Sequence, residues 1–159
     1  MVTVANAVSL TFVGTLAAPI VLWLWTRRIA WVWLLGGIIA ANGAVAGLKE
    51  VAVALSEGGR WALRPAGAFS CDAFCEGGAV GGEPGFPSGH ATTVARFVGG
   101  AWSGAPAEWR PWIVVVGGLW IIAMGWSRMA KRCHTLALVV VGTVFGLGLA
   151  AGGARLGFW

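Results

Sequence analysis

Five long apolar stretches constrain this 159-residue chain more tightly than anything else in it. A helix that crosses roughly 30 Å of hydrocarbon needs about 20 apolar residues. Residues 4–25 form one such stretch, closed by Thr26-Arg27-Arg28, and residues 29–48 form a second, closed by Lys49-Glu50. The third runs from His90 to about Ser103 with Arg96 inside it, the fourth from Pro111 to Trp126, and the fifth from His134 to about Gly153. Only 11% of the residues are charged, against about 25% in a soluble domain. That excludes a disordered chain, a coiled coil and a water-soluble globule. No stretch alternates like a barrel strand. The fold class expected is therefore all-α, a single polytopic membrane helix bundle over residues 1–159 with about five transmembrane helices.

Smaller features agree with this reading. Trp23, Trp25, Trp31, Trp33, Trp109, Trp112 and Trp126 fall near the ends of stretches, as an interfacial aromatic belt would. No Lys or Arg precedes residue 27, so the first stretch lacks the charged start of a signal peptide and is expected to be a retained helix. Glycine pairs at Gly43/Gly47, Gly100/Gly104 and Gly142/Gly146 have the spacing that lets helix backbones approach closely in lipid. The net charge of +5 and pI near 10.1 would suggest a nucleic-acid partner in a polar protein. Here the basic residues sit at the ends of apolar stretches, where they meet lipid headgroups, so no nucleic-acid partner is expected.

One polar stretch breaks the pattern. Residues 49–89 hold Lys49, Glu50, Glu57, Arg60, Arg64, Asp72, Glu76 and Glu83, together with three of the six prolines. A connection this long is usually functional or disordered. Five crossings put it on the same side as residues 127–133, where the third and fifth helices also begin. The only two histidines, His90 and His134, therefore start different helices on one face.

Their neighbours suggest what they do. Gly85-Phe86-Pro87-Ser88-Gly89-His90 places good helix-start residues before His90. A helix start offers free N–H groups and partial positive charge, which together bind phosphate. Ser88 adds a hydroxyl, and Gly89 lets a ligand approach the main chain. Ser127-Arg128-Met129-Ala130-Lys131-Arg132-Cys133-His134 brings three cations and an imidazole to the second junction, and Arg64-Pro65 follows Arg60 by one helical turn. Taken singly, each cation could equally meet a lipid headgroup. Cys71 and Cys75 could pair on an oxidising face, bind metal weakly or do neither. Arg96 either snorkels or faces the site, since a charge inside a span is expensive. Asn6 and Asn42 read as packing or interhelical hydrogen bonds.

In order and spacing, Arg64-Pro65, Pro87-Ser88-Gly89-His90 and Ser127-Arg128-x5-His134 resemble the three-part signature of the type 2 phosphatidic acid phosphatase superfamily. The surrounding residues, Gly67-Ala68-x-x-Cys71 and Lys131-Arg132-Cys133-His134-Thr135 among them, are most similar to small members from large DNA viruses of algae and protists. The resemblance implies an integral-membrane phosphatase of lipid phosphates, either phosphatidate-like monoesters or lipid diphosphates. It implies His134 as nucleophile, forming a phosphohistidine, and His90 as the acid and then base. Arg64, Arg128, Ser88 and the Gly89 amide would hold the phosphoryl oxygens. No metal and no cofactor is implied, and the partners are the membrane and a lipid phosphate. The site would face away from the cytosol, on the extracytoplasmic or lumenal side, with the N-terminus beside it; the basic residues themselves do not decide orientation.

Two positions depart from the family pattern. The first motif carries a Lys seven positions before its Arg, which here is Glu57. Lys49 closes the second stretch eight residues too early, so either Lys49 or Arg60 is expected to supply the cation. Many members place an Asp four residues beyond the nucleophile, where this chain has Leu138. A backbone carbonyl or the Thr135 hydroxyl would then have to hold the imidazole. Two readings remain beside the enzyme. One is a weak or inactive fold kept as membrane structure, for example in a viral envelope. The other is a headgroup binder without turnover.

Overall fold

The computed structural model describes residues 2–56 and 60–158; Glu57 lies outside the described residues. The described chain is all-helical and contains no strand, only two isolated bridges, Leu63 with Pro84 and Phe69 with Ala79. The helices are α1 (Val2–Leu10), α2 (Gly14–Thr26), α3 (Ala30–Leu55), α4 (Gly89–Gly104), α5 (Arg110–Ala130) and α6 (Leu136–Arg155). A single 3-10 turn, Thr11–Val13, joins α1 to α2, so that Thr3–Thr26 makes one span. Among the described residues, four helices are long and apolar enough to cross a membrane: this span, α3, α5 and α6.

The third apolar stretch forms something different. Helix α4 has 16 residues, about 24 Å at 1.5 Å per residue, and it packs on α6, α5 and α3. Its Thr92, Thr93 and Arg96 are buried. A helix ringed by other helices needs no apolar surface of its own, because its neighbours meet the lipid. Arg96 does not face the site but lies in a cleft lined by Gly148, Leu149 and Gly152, toward the far end of α6. Its Nη1 donates to the Leu149 carbonyl at 2.8 Å, between α4 and α6.

Helix α6 lies against α4 through small residues. A Cβ on Gly142 would sit 2.6 Å from the Ser88 carbonyl oxygen, and one on Gly146 would collide with the Thr92 carbonyl. This glycine pair allows the close approach its spacing suggested, whereas Gly43 and Gly47 face open space. Helix boundaries also moved. Helix α3 runs past Lys49-Glu50 to Leu55, because charged side chains near a helix end reach water without breaking the backbone ladder. Helix α5 continues to Ala130 and so includes Arg128.

The polar stretch is folded against the helix ends. Arg64 N–H donates to Glu83 O at 2.8 Å, Val80 N–H to Ala68 O at 3.0 Å and Gly85 N–H to Ala62 O at 2.8 Å. A disulfide joins Cys71 to Cys133 across a sequence separation of 62. The pairing considered from sequence, Cys71 with Cys75, is therefore corrected, and Cys75 is a free thiol. Cys133 sits in the turn next to His134, so the two cysteines meet in space although far apart in sequence.

Candidate active site

The turn between α5 and α6 sets the position of His134. Arg132 adopts a left-handed conformation at φ 55°. Its N–H reaches Met129 O at 2.8 Å, and the Cys133 N–H reaches Arg128 O at 2.9 Å. These are the two bonds of a Schellman motif, which satisfies the last carbonyls of α5 and reverses the chain. The His134 N–H shares the Arg128 carbonyl at 3.3 Å. His134 thus lies in the turn, two residues before α6, and not at the helix's first position. Thr135 caps α6, its hydroxyl accepting from Leu138 N–H at 3.4 Å.

At the start of α4, Ser88 occupies the N-cap position, but its side chain makes no capping hydrogen bond. Its N–H donates to Leu138 O at 3.2 Å, which ties the beginnings of α4 and α6 together. The buried hydroxyl is left without a partner among the described residues. His90 follows as the second residue of α4, its ring centroid 4.5 Å from that of Phe12.

These elements close around a cavity of about 350 Å³ whose wall includes Lys49, Arg64, Gly89, His90 and His134. Ser88 and Arg128 lie behind that wall. Arg128 is 0% exposed, and its Nη2 donates to the carbonyl of Cys71, a wall residue, at 2.6 Å. Arg60 points elsewhere, exposed beside a second cleft. Of the two candidate cations for the first motif, Lys49 is therefore the one at the cavity. Glu50 and Asp72, both exposed, stand at its rim.

The electrostatics of this cavity are one-sided. Burial holds the His134 imidazole well below the ordinary histidine range, and the nearby cations Arg128, Arg64 and Lys49 push it the same way. A hydrogen bond to the Gly85 backbone opposes them. Burial also lowers Arg64, against the carboxylates of Glu83 and Asp72. Around the cavity, Arg64 Nε, Ser88 Oγ, His90 Nε2, Arg128 Nε, Lys131 Nζ and His134 Nδ1 are all buried without a hydrogen-bond partner among the described residues. Buried polar groups are normally satisfied. So many unpartnered polar atoms, with the Arg64, Arg128 and Lys131 donors among them, are what a site for a bound anion requires.

Two residues of the first span take part that sequence reading did not single out. Phe12 lines the cavity, and Ser9 is bonded to Arg128 at 3.1 Å. Their signal was faint: Asn6, Ser9 and Phe12 recur at three-residue spacing, which puts them on one helix face. Among the described residues no group of three or more His, Cys, Asp or Glu is placed to hold a metal ion.

A family model described as the PAP2 superfamily matches residues 31–159. No curated protein and no solved structure matches the chain.

Proposed function

From the premise that the chain belongs to the PAP2 superfamily, whose membership supports a phosphatase, we propose that it is a membrane-embedded, metal-independent phosphatase of lipid phosphates acting through a phosphohistidine. The observation that carries this reading is the meeting of both histidines with Lys49 and Arg64 at one cavity ringed by unpartnered polar atoms.

A ring nitrogen of neutral His134 attacks phosphorus. The phosphorus–oxygen bond to the lipid breaks, and the departing oxygen takes a proton from His90, which enters this step as the imidazolium and leaves it neutral. His90 then removes a proton from water as that water attacks the phosphohistidine, which frees inorganic phosphate and restores neutral His134. Lys49, Arg64 and Arg128 balance the charge on the equatorial oxygens, and the Ser88 hydroxyl and Gly89 amide fix their positions. Phosphoryl transfer depends chiefly on such positioning and neutralisation. The wall formed by Phe12, Val45 and Ala46 is apolar, which suits a substrate whose headgroup enters the cavity while its tail stays among the helices. Phosphatidate-like monoesters and lipid diphosphates both have this form.

The Cys71–Cys133 bond supports a site on the extracytoplasmic or lumenal face, because such bonds persist in oxidising compartments. Protease protection of an N-terminal tag in sealed vesicles tests that side, since Ser9 and Phe12 place the N-terminal end of the first span beside the site.

A second reading, a fold kept as membrane structure without turnover, draws on Leu138. It is buried, and no carboxylate stands one turn beyond His134 to orient the ring. Phosphate release from a panel of lipid phosphates, parent against His134→Ala, separates the two. Turnover lost only in the variant supports the enzyme; identical release from both proteins overturns it.

A further inference from the structure

The first span precedes residue 31 and so lies outside the family match, yet its Ser9 reaches the buried phosphate-binding arginine. Arg128 Nη1 donates to Ser9 Oγ at 3.1 Å, and Nη2 donates to Cys71 O. Ser9 Oγ also lies 3.1 Å from Ser127 Oγ, which in turn donates to Met124 O at 2.7 Å. Each hydroxyl has one proton. The Ser127 proton goes to Met124 O, so Ser9 donates to Ser127 and accepts from Arg128. The chain of hydrogen bonds therefore has a single direction, from guanidinium to Ser9 to Ser127 to a helix carbonyl. Ser9 is 0% exposed, so it is shielded from bulk water.

A guanidinium is a rigid planar fork. Holding Nη1 and Nη2 at two fixed acceptors sets the plane and leaves Nε, buried and without a partner among the described residues, as a donor still to be used. We propose that Ser9 is a positioning residue, fixing the plane of Arg128 so that it meets the transferring phosphoryl group. This rests on the phosphatase reading above. Ser127 of the third motif then acts through Ser9: by receiving the Ser9 proton it frees the Ser9 lone pair for Arg128.

The test uses the full chain in detergent or nanodiscs, with a lipid phosphate as substrate and orthovanadate as the phosphoryl mimic. Ser9→Ala orphans a buried donor on a charged group, so kcat/KM should fall and vanadate inhibition weaken together, each by about tenfold or more. Ser9→Thr, which keeps an acceptor, should restore both to within about threefold. In an Arg128→Lys background, which keeps the charge but not the fork, Ser9→Ala should have no further effect on either constant. Parental constants in Ser9→Ala, or an undiminished effect in the Arg128→Lys background, overturn the proposal. Should Ser9→Ala fail to fold, Ser9→Thr is compared with Ser9→Cys, whose sulfur is a poor acceptor; equal vanadate inhibition in those two overturns it as well. A parent that neither releases phosphate nor binds vanadate removes the phosphatase reading and this inference with it, whereas an active parent matched by Ser9→Ala removes only the inference.

Discussion

His134 is an imidazole held neutral among cations, and neutrality is what a nitrogen nucleophile needs. The lone pair with which it would attack in the proposed mechanism is lost only on protonation, which burial and the cations Arg128, Arg64 and Lys49 displace well below the usual value of 6.5. With 4-nitrophenyl phosphate, whose leaving group needs no proton, phosphoenzyme formation at low substrate should stay level as pH falls from 8 through 6.5 and decline only below that. Quench-flow labelling measures it; a decline centred at 6.5 would mean that His134 titrates as a free histidine. His90 is covered by Phe12. If His90 is the acid as proposed, Phe12→Ala should lower turnover of lipid phosphates, whose leaving oxygen would need its proton, by about tenfold, and lower turnover of the nitrophenyl ester much less. The ratio of the two rates is the readout.

Helices and turns carry the site, and their legibility in the sequence was uneven. Four of the five apolar stretches gave the candidate spans, the third gave the shorter enclosed helix α4, and Pro87-Ser88-Gly89 gave its start. The sequence pattern did not disclose that the Ser88 hydroxyl leaves its cap unmade, because that depends on what buries it. The apolar stretch stops at residue 48, which hides that Lys49 lies within α3; the helix runs on to Leu55, and Lys49 faces the cavity. Ser9 was hard to single out, since one serine in an apolar helix carries little signal until its partner 119 residues away is known. The Schellman turn hides likewise, because Arg132 occupies a left-handed position that usually takes glycine. Arg132→Val, which puts a β-branched residue there, should cost about 1–2 kcal/mol, read as a lower melting temperature in detergent. At the α4–α6 seam, Gly142→Val would press on the Ser88 backbone. Turnover should be lost by well over tenfold even where the variant still folds, because His90 shifts with the start of α4.

Across the whole molecule, one bond ties the polar loop to the turn that carries His134. Cys71 supplies its carbonyl to Arg128 and its sulfur to Cys133. Reduction, or Cys133→Ser, should lower both melting temperature and kcat. A crosslink of this sequence separation is worth at most about 4 kcal/mol in the chain-entropy picture, and less where the helices stay inserted. A membrane-impermeant reductant should inactivate intact vesicles only from the face that bears the site, which reads out sidedness without a tag.

Helix α4 also bears on how the protein is made. At 16 residues, and with Arg96 near its middle, it is a poor substrate for an insertion machinery that tests one segment at a time, since Arg at a helix centre costs roughly 2.5–3.5 kcal/mol on insertion scales. It would enter the bilayer only with partners to surround it, and α5 and α6 are synthesised after it. A nascent chain halted soon after Gly104 should therefore leave α4 outside the hydrocarbon, and the active site would form only once α6 has arrived.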